Sequence, residues 1–441
     1  MSVSPSRTAA FEILLRVERE DAYASELLHS SSWAQLSPAD HGLATELVMG
    51  VLRWRSVLDN EIAQRSSVKL GKLDPEVLAS LRLAAYQLLF LDRVPEHAAV
   101  HESVELVKHA RKRSAVPFVN AVLRKLAAAA VRPPTAVLRT AADLAASAAH
   151  PQWLVERWVM EFGMAVAAQI CTCDQQVPPT CISVRSSAIR DELEGAGIQL
   201  APGCLLTSAC RVVGGDLNRT RPFRENIITI QDEASQLVAL LVGAGSRFLD
   251  CCAAPGGKTR SMAERNPSAT ILAADLHPHR SRLLRQLVSA TNVQVIAADA
   301  RDLPTTAYFD RVLADVPCSG TGTLARNPEI KWRLKADDLP DLQNRQIGIL
   351  RSAMGRVAPG GRLIYSTCSL EPEENEAVVE AALSADGSFR AVECRERLAE
   401  LQSSGELVWR NIDSLTSGPY LRTIPGVHPC DGFFAAILEK I

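Results

Sequence analysis

From Gly243 onward the sequence repeats one pattern: a short apolar run, a loop carrying glycine or aspartate, then an amphipathic stretch. That rhythm restricts the fold more than any other feature. Candidate strands are 246–250, 270–275, 293–297, 309–315, 361–367 and 432–439, and stretches such as PHRSRLLRQLVSA and DLQNRQIGILRSAMGRV between them have helical spacing. Alternation of this kind predicts a mostly parallel sheet covered on both faces, with ligands bound outside the carboxyl ends of its strands. A Rossmann-like α/β domain over 241–441 is therefore expected.

Four of these strands end in, or are soon followed by, an aspartate: Asp250, Asp275, Asp299 and Asp315. One terminal aspartate is an ordinary helix cap. Four at one edge of a sheet predict a lined pocket. Asp275 follows Asp250 by 25 residues, near the roughly 20-residue interval at which a carboxylate meets the ribose of a bound dinucleotide. The first loop, CCAAPGGKT (251–259), ends like a nucleotide-binding P-loop, but the place five before Gly257 holds Cys252 where that loop needs glycine. Asp250 at its mouth would also repel a triphosphate. It suits a ligand with positive charge and hydroxyls, such as S-adenosylmethionine, so a methyltransferase stands beside the nucleotide-hydrolase reading. Two further loops carry cysteine: DVPCSGTGTL places Cys318 three residues after Asp315, and YSTCSLEPEENE places Cys368 at a strand end before an acidic helix start. Either thiol alone reads as a core residue, since cysteine is among the most buried types. Together, at neighbouring strand ends, they point to one cleft.

Upstream, residues from about 5 to 130 repeat apolar side chains every three or four positions, as in ADHGLATELVMGVLRWRSVLDNEIAQ and EVLASLRLAAYQLLFL. An all-α domain over 1–140 follows, and VRPPT (131–135) marks a linker. Between 145 and 240, helical PQWLVERWVMEFG is mixed with β-branched pieces such as CISVRSS and CRVVGG, which predicts a small α+β insert. Net charge is −2, yet the stretch from Leu106 to Ala142 holds eight basic residues and no acid. Segregated charge is the footprint of a phosphate-backbone contact, and a solvated helix face is the plainer alternative. Lys108, Arg111, Lys112, Arg113, Arg124 and Lys125 are the candidate RNA-binding residues.

Apolar residues make up 47% of the 441, and no run approaches the roughly 18 apolar residues of a membrane span. Eleven cysteines without a Cys-x-x-Cys pair argue for free thiols in a reducing compartment and for no bound metal. A cytoplasmic, monomeric enzyme is expected.

LDCCAAPGGKT, DVPCSGTGTL, NPEIKW and YSTCSLEPEENE, preceded by IQDEASQLV and followed by HPCDGFFAAIL, resemble in this order the RNA cytosine-5 methyltransferase family. RLAAYQLLFLDRVPEHAAVHESVELVK and FVNAVLRKL resemble the NusB-type RNA-binding domain of one branch, which acts on small-subunit ribosomal RNA. The resemblance implies transfer of a methyl group from S-adenosylmethionine to cytosine C5 in 16S rRNA, with tRNA as the alternative substrate and a non-catalytic RNA-binding assembly factor as the alternative class. It assigns the nucleophile to Cys368 and assistance in C5 proton removal and enzyme release to Cys318. Asp315 would hydrogen-bond N3 or the exocyclic amine, and Lys258 would help position the base. Cofactor contacts implied are Cys252, Ala253, Ala254, Pro255, Gly256, Gly257, Lys258, Asp275, Arg280, Asp299 and Asp315. The chain departs from the commoner pattern at Cys251, which is usually aliphatic, and at His277, where an acid is frequent.

Overall fold

A computed structural model describes residues 3–20, 22–128 and 139–441. The VRPPT linker and Arg132 lie outside the described residues. The chain divides into two units, one of residues 1–177 with 324–333 and the other of residues 178–323 with 334–441.

The first unit is helical. Pro5–Glu20, Pro38–Ala63, Pro75–Phe90, Glu96–His109 and Val116–Ala128 are its main helices. Their starts follow sequence chemistry: Ser37 accepts the Asp40 backbone N–H at 3.1 Å and Pro38 takes the first helical position, where no N–H is needed. Leu47, Val51, Leu58 and Ile62 fall on one stripe of Pro38–Ala63 and are buried with Leu81, Leu106 and Leu123 from the other helices. PQWLVERWVMEFG extends into Gln152–Asp174, where two helical pieces meet at Gly163.

The second unit holds two sheets. Strands β1 (Thr180–Ser183), β2 (Gln199–Pro202), β3 (Ala209–Gly214) and β4 (Thr229–Ile230) form a small antiparallel sheet in the order β2-β3-β1-β4. The larger sheet contains β5 (Arg247–Asp250), β6 (Thr270–Asp275), β7 (Val293–Ala297), β8 (Phe309–Asp315), β9 (Val357–Thr367), β10 (Phe389–Val392), β11 (Thr416–Ser417), β12 (Tyr420–Thr423) and β13 (Phe433–Lys440). Its order is β11-β12-β13-β9-β8-β5-β6-β7, with β10 on β13. Strands β7-β6-β5-β8-β9 are parallel, whereas β10 to β13 pair antiparallel, so the sheet is mixed. The antiparallel end exceeds the sequence expectation because β10, β11 and β12 are too short to show a period.

Alternate residues feed two cores. Phe248, Leu313, Ile364 and Ile437 belong to one, while Leu249, Val312, Leu363, Tyr365, Phe434 and Leu438 belong to the other. This period of two buries both faces and leaves the carboxyl edge as the place for polar groups. Strand order reverses between β5 and β8, and it is outside the carboxyl edge at such a reversal that open α/β sheets bind their ligands.

Candidate active site

Asp250 ends β5 at that switch point. Its carboxylate accepts the Thr259 hydroxyl at 2.6 Å, and burial pushes its pKa from 3.8 to about 7. The loop then turns through Gly256, whose φ of 118° is open to glycine at little cost, and a Cβ there would meet Leu284 and Val288 at 2.6 Å. Helix Gly257–Arg265 starts at once and aims Lys258 back across the switch.

Lys258 Nζ donates to Asp315 Oδ2 at 2.8 Å and lies 5.1 Å from the centroid of the Phe433 ring. The Ser366 hydroxyl donates to the other oxygen, Asp315 Oδ1, at 2.7 Å. Both Asp315 oxygens are thereby held, one from helix Gly257–Arg265 and one from β9. Three residues beyond Asp315, Cys318 brings its sulfur to 3.3 Å from that of Cys368. The contact with Cys368, with burial added, pushes the Cys318 thiol well up from its ordinary value. Asn375 brackets Cys368: it accepts the Thr367 hydroxyl at 2.5 Å and donates to the Ser369 carbonyl at 3.0 Å.

Gly322 explains why the Cys318 loop passes close to the chain terminus. Its carbonyl accepts the Gly432 N–H at 2.8 Å, and a Cβ on Gly322 would stand 2.2 Å from the Gly432 oxygen. HPCDGFFAAIL is thus tied to the site through Gly432 and Phe433. In IQDEASQLV, Asp232 caps helix Glu233–Val242, and the buried Glu233 carboxylate accepts the N–H groups of Cys204, Leu205 and Leu206. These are structural roles.

The residues named for a cofactor gather along the same edge. Asp275 accepts backbone N–H groups from Ala254 at 3.3 Å and from His277 at 3.1 Å. Arg280 donates to the Ala254 carbonyl at 3.1 Å and stands 3.8 Å from Asp275. Loop residues Cys252 to Gly257 thus lie between two anchored aspartates. Burial pushes the Cys252 thiol well above its ordinary value, which leaves it protonated. Asp299 is gripped by Arg301 at 2.6 Å, and that bond holds its carboxyl below the usual range. Carboxylates at the ends of β5 and β6, with a glycine turn between them, fit a ligand that presents hydroxyls and positive charge.

Sequence reading missed Ser366 and Phe433. Both occupy ordinary strand positions, and only the pairing of β9 with β8 and β13 brings them to Asp315 and Lys258. NPEIKW behaves differently: its residues belong to the helical unit, where Lys331 donates to the carbonyls of Arg53 at 3.0 Å and Ala149 at 2.9 Å, and Trp332 donates to that of Leu52 at 2.7 Å. In that same unit Arg111, Arg113, Arg124 and Lys125 are exposed, without an ion-pair partner among the described residues. Lys112 is paired with Asp74 at 3.0 Å and Lys108 with Glu105 at 2.7 Å. Glu105 directly precedes the basic stretch, and folding brings up Asp74 from a distant helix start. No helix among the described residues is long and apolar enough to cross a membrane.

Residues 238–439 match the family model described as 16S rRNA methyltransferase RsmB/F, and residues 4–128 match the NusB family. The chain is 32% identical to the probable ribosomal RNA small subunit methyltransferase B of Bacillus subtilis, with all of both chains covered. It is 34% identical to ribosomal RNA small subunit methyltransferase B of Pseudomonas putida, covering 94% of each. Among solved structures, PH0851 superposes with a TM-score of 0.81 at 24% identity over all of both chains. NSun6 from Pyrococcus horikoshii, solved with SFG, gives 0.57 at 19% identity over 66% of this chain and 98% of that one. The chain belongs to the RsmB/F family of 16S rRNA methyltransferases.

Proposed function

We propose that this protein methylates C5 of a cytosine in 16S rRNA, with S-adenosylmethionine as methyl donor, through a covalent bond between Cys368 and C6 of the base. The observation that carries the reading is the pair of thiols 3.3 Å apart beside the Lys258–Asp315 pair at the carboxyl edge of the sheet. Cytosine C5 is a poor nucleophile until a group adds at C6, and a thiolate adds reversibly. Asp315, held by Lys258 and Ser366, is placed to hydrogen-bond the N3 and amine edge of the base while electron density passes toward C5. S-adenosylmethionine supplies an electrophilic methyl group on a sulfonium. Cys318 then assists loss of the C5 proton, the C5–C6 double bond reforms, and the Cys368 thiolate leaves. Lys258 keeps Asp315 oriented throughout.

A target base in structured RNA must leave its stack to reach such a cleft. We assign the electrostatic part of RNA binding to Lys108, Arg111, Lys112, Arg113, Arg124 and Lys125 of the NusB-type region, residues 1–140. Residues 145–240 serve as an accessory element, and the chemistry belongs to 241–441.

The two thiols should fail in opposite ways. Cys368→Ala is expected to bind RNA and cofactor but to form neither adduct nor product. Cys318→Ala is expected to accumulate a protein–RNA species that survives a denaturing gel, because addition and methylation precede the step it serves. A stable adduct in Cys368→Ala and none in Cys318→Ala would exchange the two roles. Full methylation of 16S rRNA by Cys368→Ala would remove the covalent route altogether.

A further inference from the structure

YSTCSLEPEENE reads along the sequence as a strand, a loop and an acidic helix start. Three-dimensionally its Glu374 is fully buried, with no cation paired to it among the described residues. Burying a carboxylate away from positive charge is costly unless hydrogen bonds replace the lost water. Glu374 has them, and their origins are informative. Oε1 accepts the backbone N–H of Ser319 at 2.8 Å and the Gln346 side-chain amide at 2.8 Å. Oε2 accepts the Ser369 hydroxyl at 2.5 Å. Ser319 is the residue after Cys318, and Ser369 is the residue after Cys368.

Other bonds close the frame. The Gln346 amide also donates to the carbonyl of Pro317, the residue before Cys318, at 3.0 Å. The hydroxyls of Ser319 and Ser369 lie 3.0 Å apart, and the Tyr365 hydroxyl donates to the Glu374 carbonyl at 2.6 Å. A single carboxylate therefore bridges two loops that are 50 residues apart in sequence, and each bridged residue adjoins a thiol. Three groups from three elements converge on one side chain to which the proposed chemistry gives no part.

We infer that Glu374 is a positioning residue that sets the Cys318–Cys368 spacing by holding the backbone beside each thiol in one hydrogen-bonded frame. The inference rests on the reading that both thiols act on the base. Its geometric content can be measured apart from that reading. Glu374→Ala leaves the Ser319 N–H without its acceptor and the Gln346 amide with the Pro317 carbonyl alone, so the two loops lose their common anchor. Glu374→Gln keeps the shape: its carbonyl oxygen can still accept from Ser319 and Gln346, and its NH₂ can donate to the Ser369 hydroxyl.

The test follows two readouts in the full-length protein. One is single-turnover methylation of 16S rRNA. The other is the rate at which diamide, a two-electron azo oxidant, closes a Cys318–Cys368 disulfide, read by mass spectrometry without RNA or cofactor. Displacement of a reacting group by about 1 Å costs on the order of 100-fold in rate. Glu374→Ala is therefore expected to lose roughly 100-fold in methylation rate and about 10-fold in disulfide closure, with cofactor affinity within about twofold of wild type. Glu374→Gln is expected to restore most of both rates. Should Glu374→Ala fail to fold, Ser369→Ala, which withdraws one donor and leaves the carboxylate, is expected to slow disulfide closure. Wild-type disulfide closure in Glu374→Ala, or in Ser369→Ala when that variant decides, overturns the inference. So does failure of Glu374→Gln to restore closure. Slowed closure in Glu374→Ala alongside full methylation by Cys368→Ala would leave the positioning role standing and remove the covalent reading of the site.

Discussion

Asp250 is the most exacting test of the site, because its environment converts directly into a pH dependence. Burial raises its pKa from 3.8 to about 7, the Thr259 hydroxyl and Lys258 oppose the rise, and the charge of Asp315 adds to it. A carboxyl with a raised native pKa binds more protons folded than unfolded between these two values. Stability therefore falls as pH climbs from about 4 through about 7. At about 1.36 kcal/mol per unit, the interval from pH 5 to pH 8 removes about 3 kcal/mol, since protonation of the native carboxyl ends near 7. Asp250→Asn has nearly the same shape and does not titrate. Urea unfolding of both proteins at pH 5 and pH 8, followed by circular dichroism, should show the variant gaining about 3 kcal/mol on the wild type across that interval. A stability difference independent of pH would refute the argument. The same titration bears on ligand binding. A sulfonium favours the ionised carboxylate, so calorimetric affinity for S-adenosylmethionine should rise through pH 7 in the wild type and stay flat in Asp250→Asn.

Asp275→Ala should weaken binding of S-adenosylmethionine roughly 10- to 100-fold, the equivalent of one charge-assisted hydrogen bond of about 1.5 to 3 kcal/mol, and calorimetry with RNA should find that affinity nearly unchanged. Replacing exposed Arg111, Arg113, Arg124 and Lys125 with alanine should lower the log–log salt slope of RNA binding by roughly 0.7 to 0.9 for each phosphate that is no longer neutralised. Lys108→Ala and Lys112→Ala should lower it less in filter binding, since each cation already has an acidic partner. Gly322→Ala places a methyl group against the Gly432 carbonyl, so a thermal melt should show a loss of about 1 to 3 kcal/mol, the usual cost of overpacking. Methylation should fall with it, because the displaced loop carries Cys318.

Local chemistry was enough to place most of the parallel strands. Thr270–Asp275 and Phe309–Asp315 have the expected bounds because each carries an apolar run, 271–274 and 312–314, and the aspartate at its end marks where that run stops. Cys318 and Cys368 could be linked to one cleft for the same reason, as each follows a neighbouring strand end. What lay beyond sequence was any relation set by pairing across the sheet or between distant loops. Ser366 and Phe433 reach Asp315 and Lys258 only through the registers of β9 with β8 and of β13 with β9. Glu374 looks like part of a solvated acidic cap until the Ser319 N–H, the Gln346 amide and the Ser369 hydroxyl converge on it from elsewhere in the chain. Lys112 looks like a free cation until folding sets Asp74 beside it. Periodicity and terminal residues are local and survive in a linear reading. Hydrogen bonds and ion pairs depend on which distant groups the packed core brings within about 3 Å, and only the tertiary structure decides that.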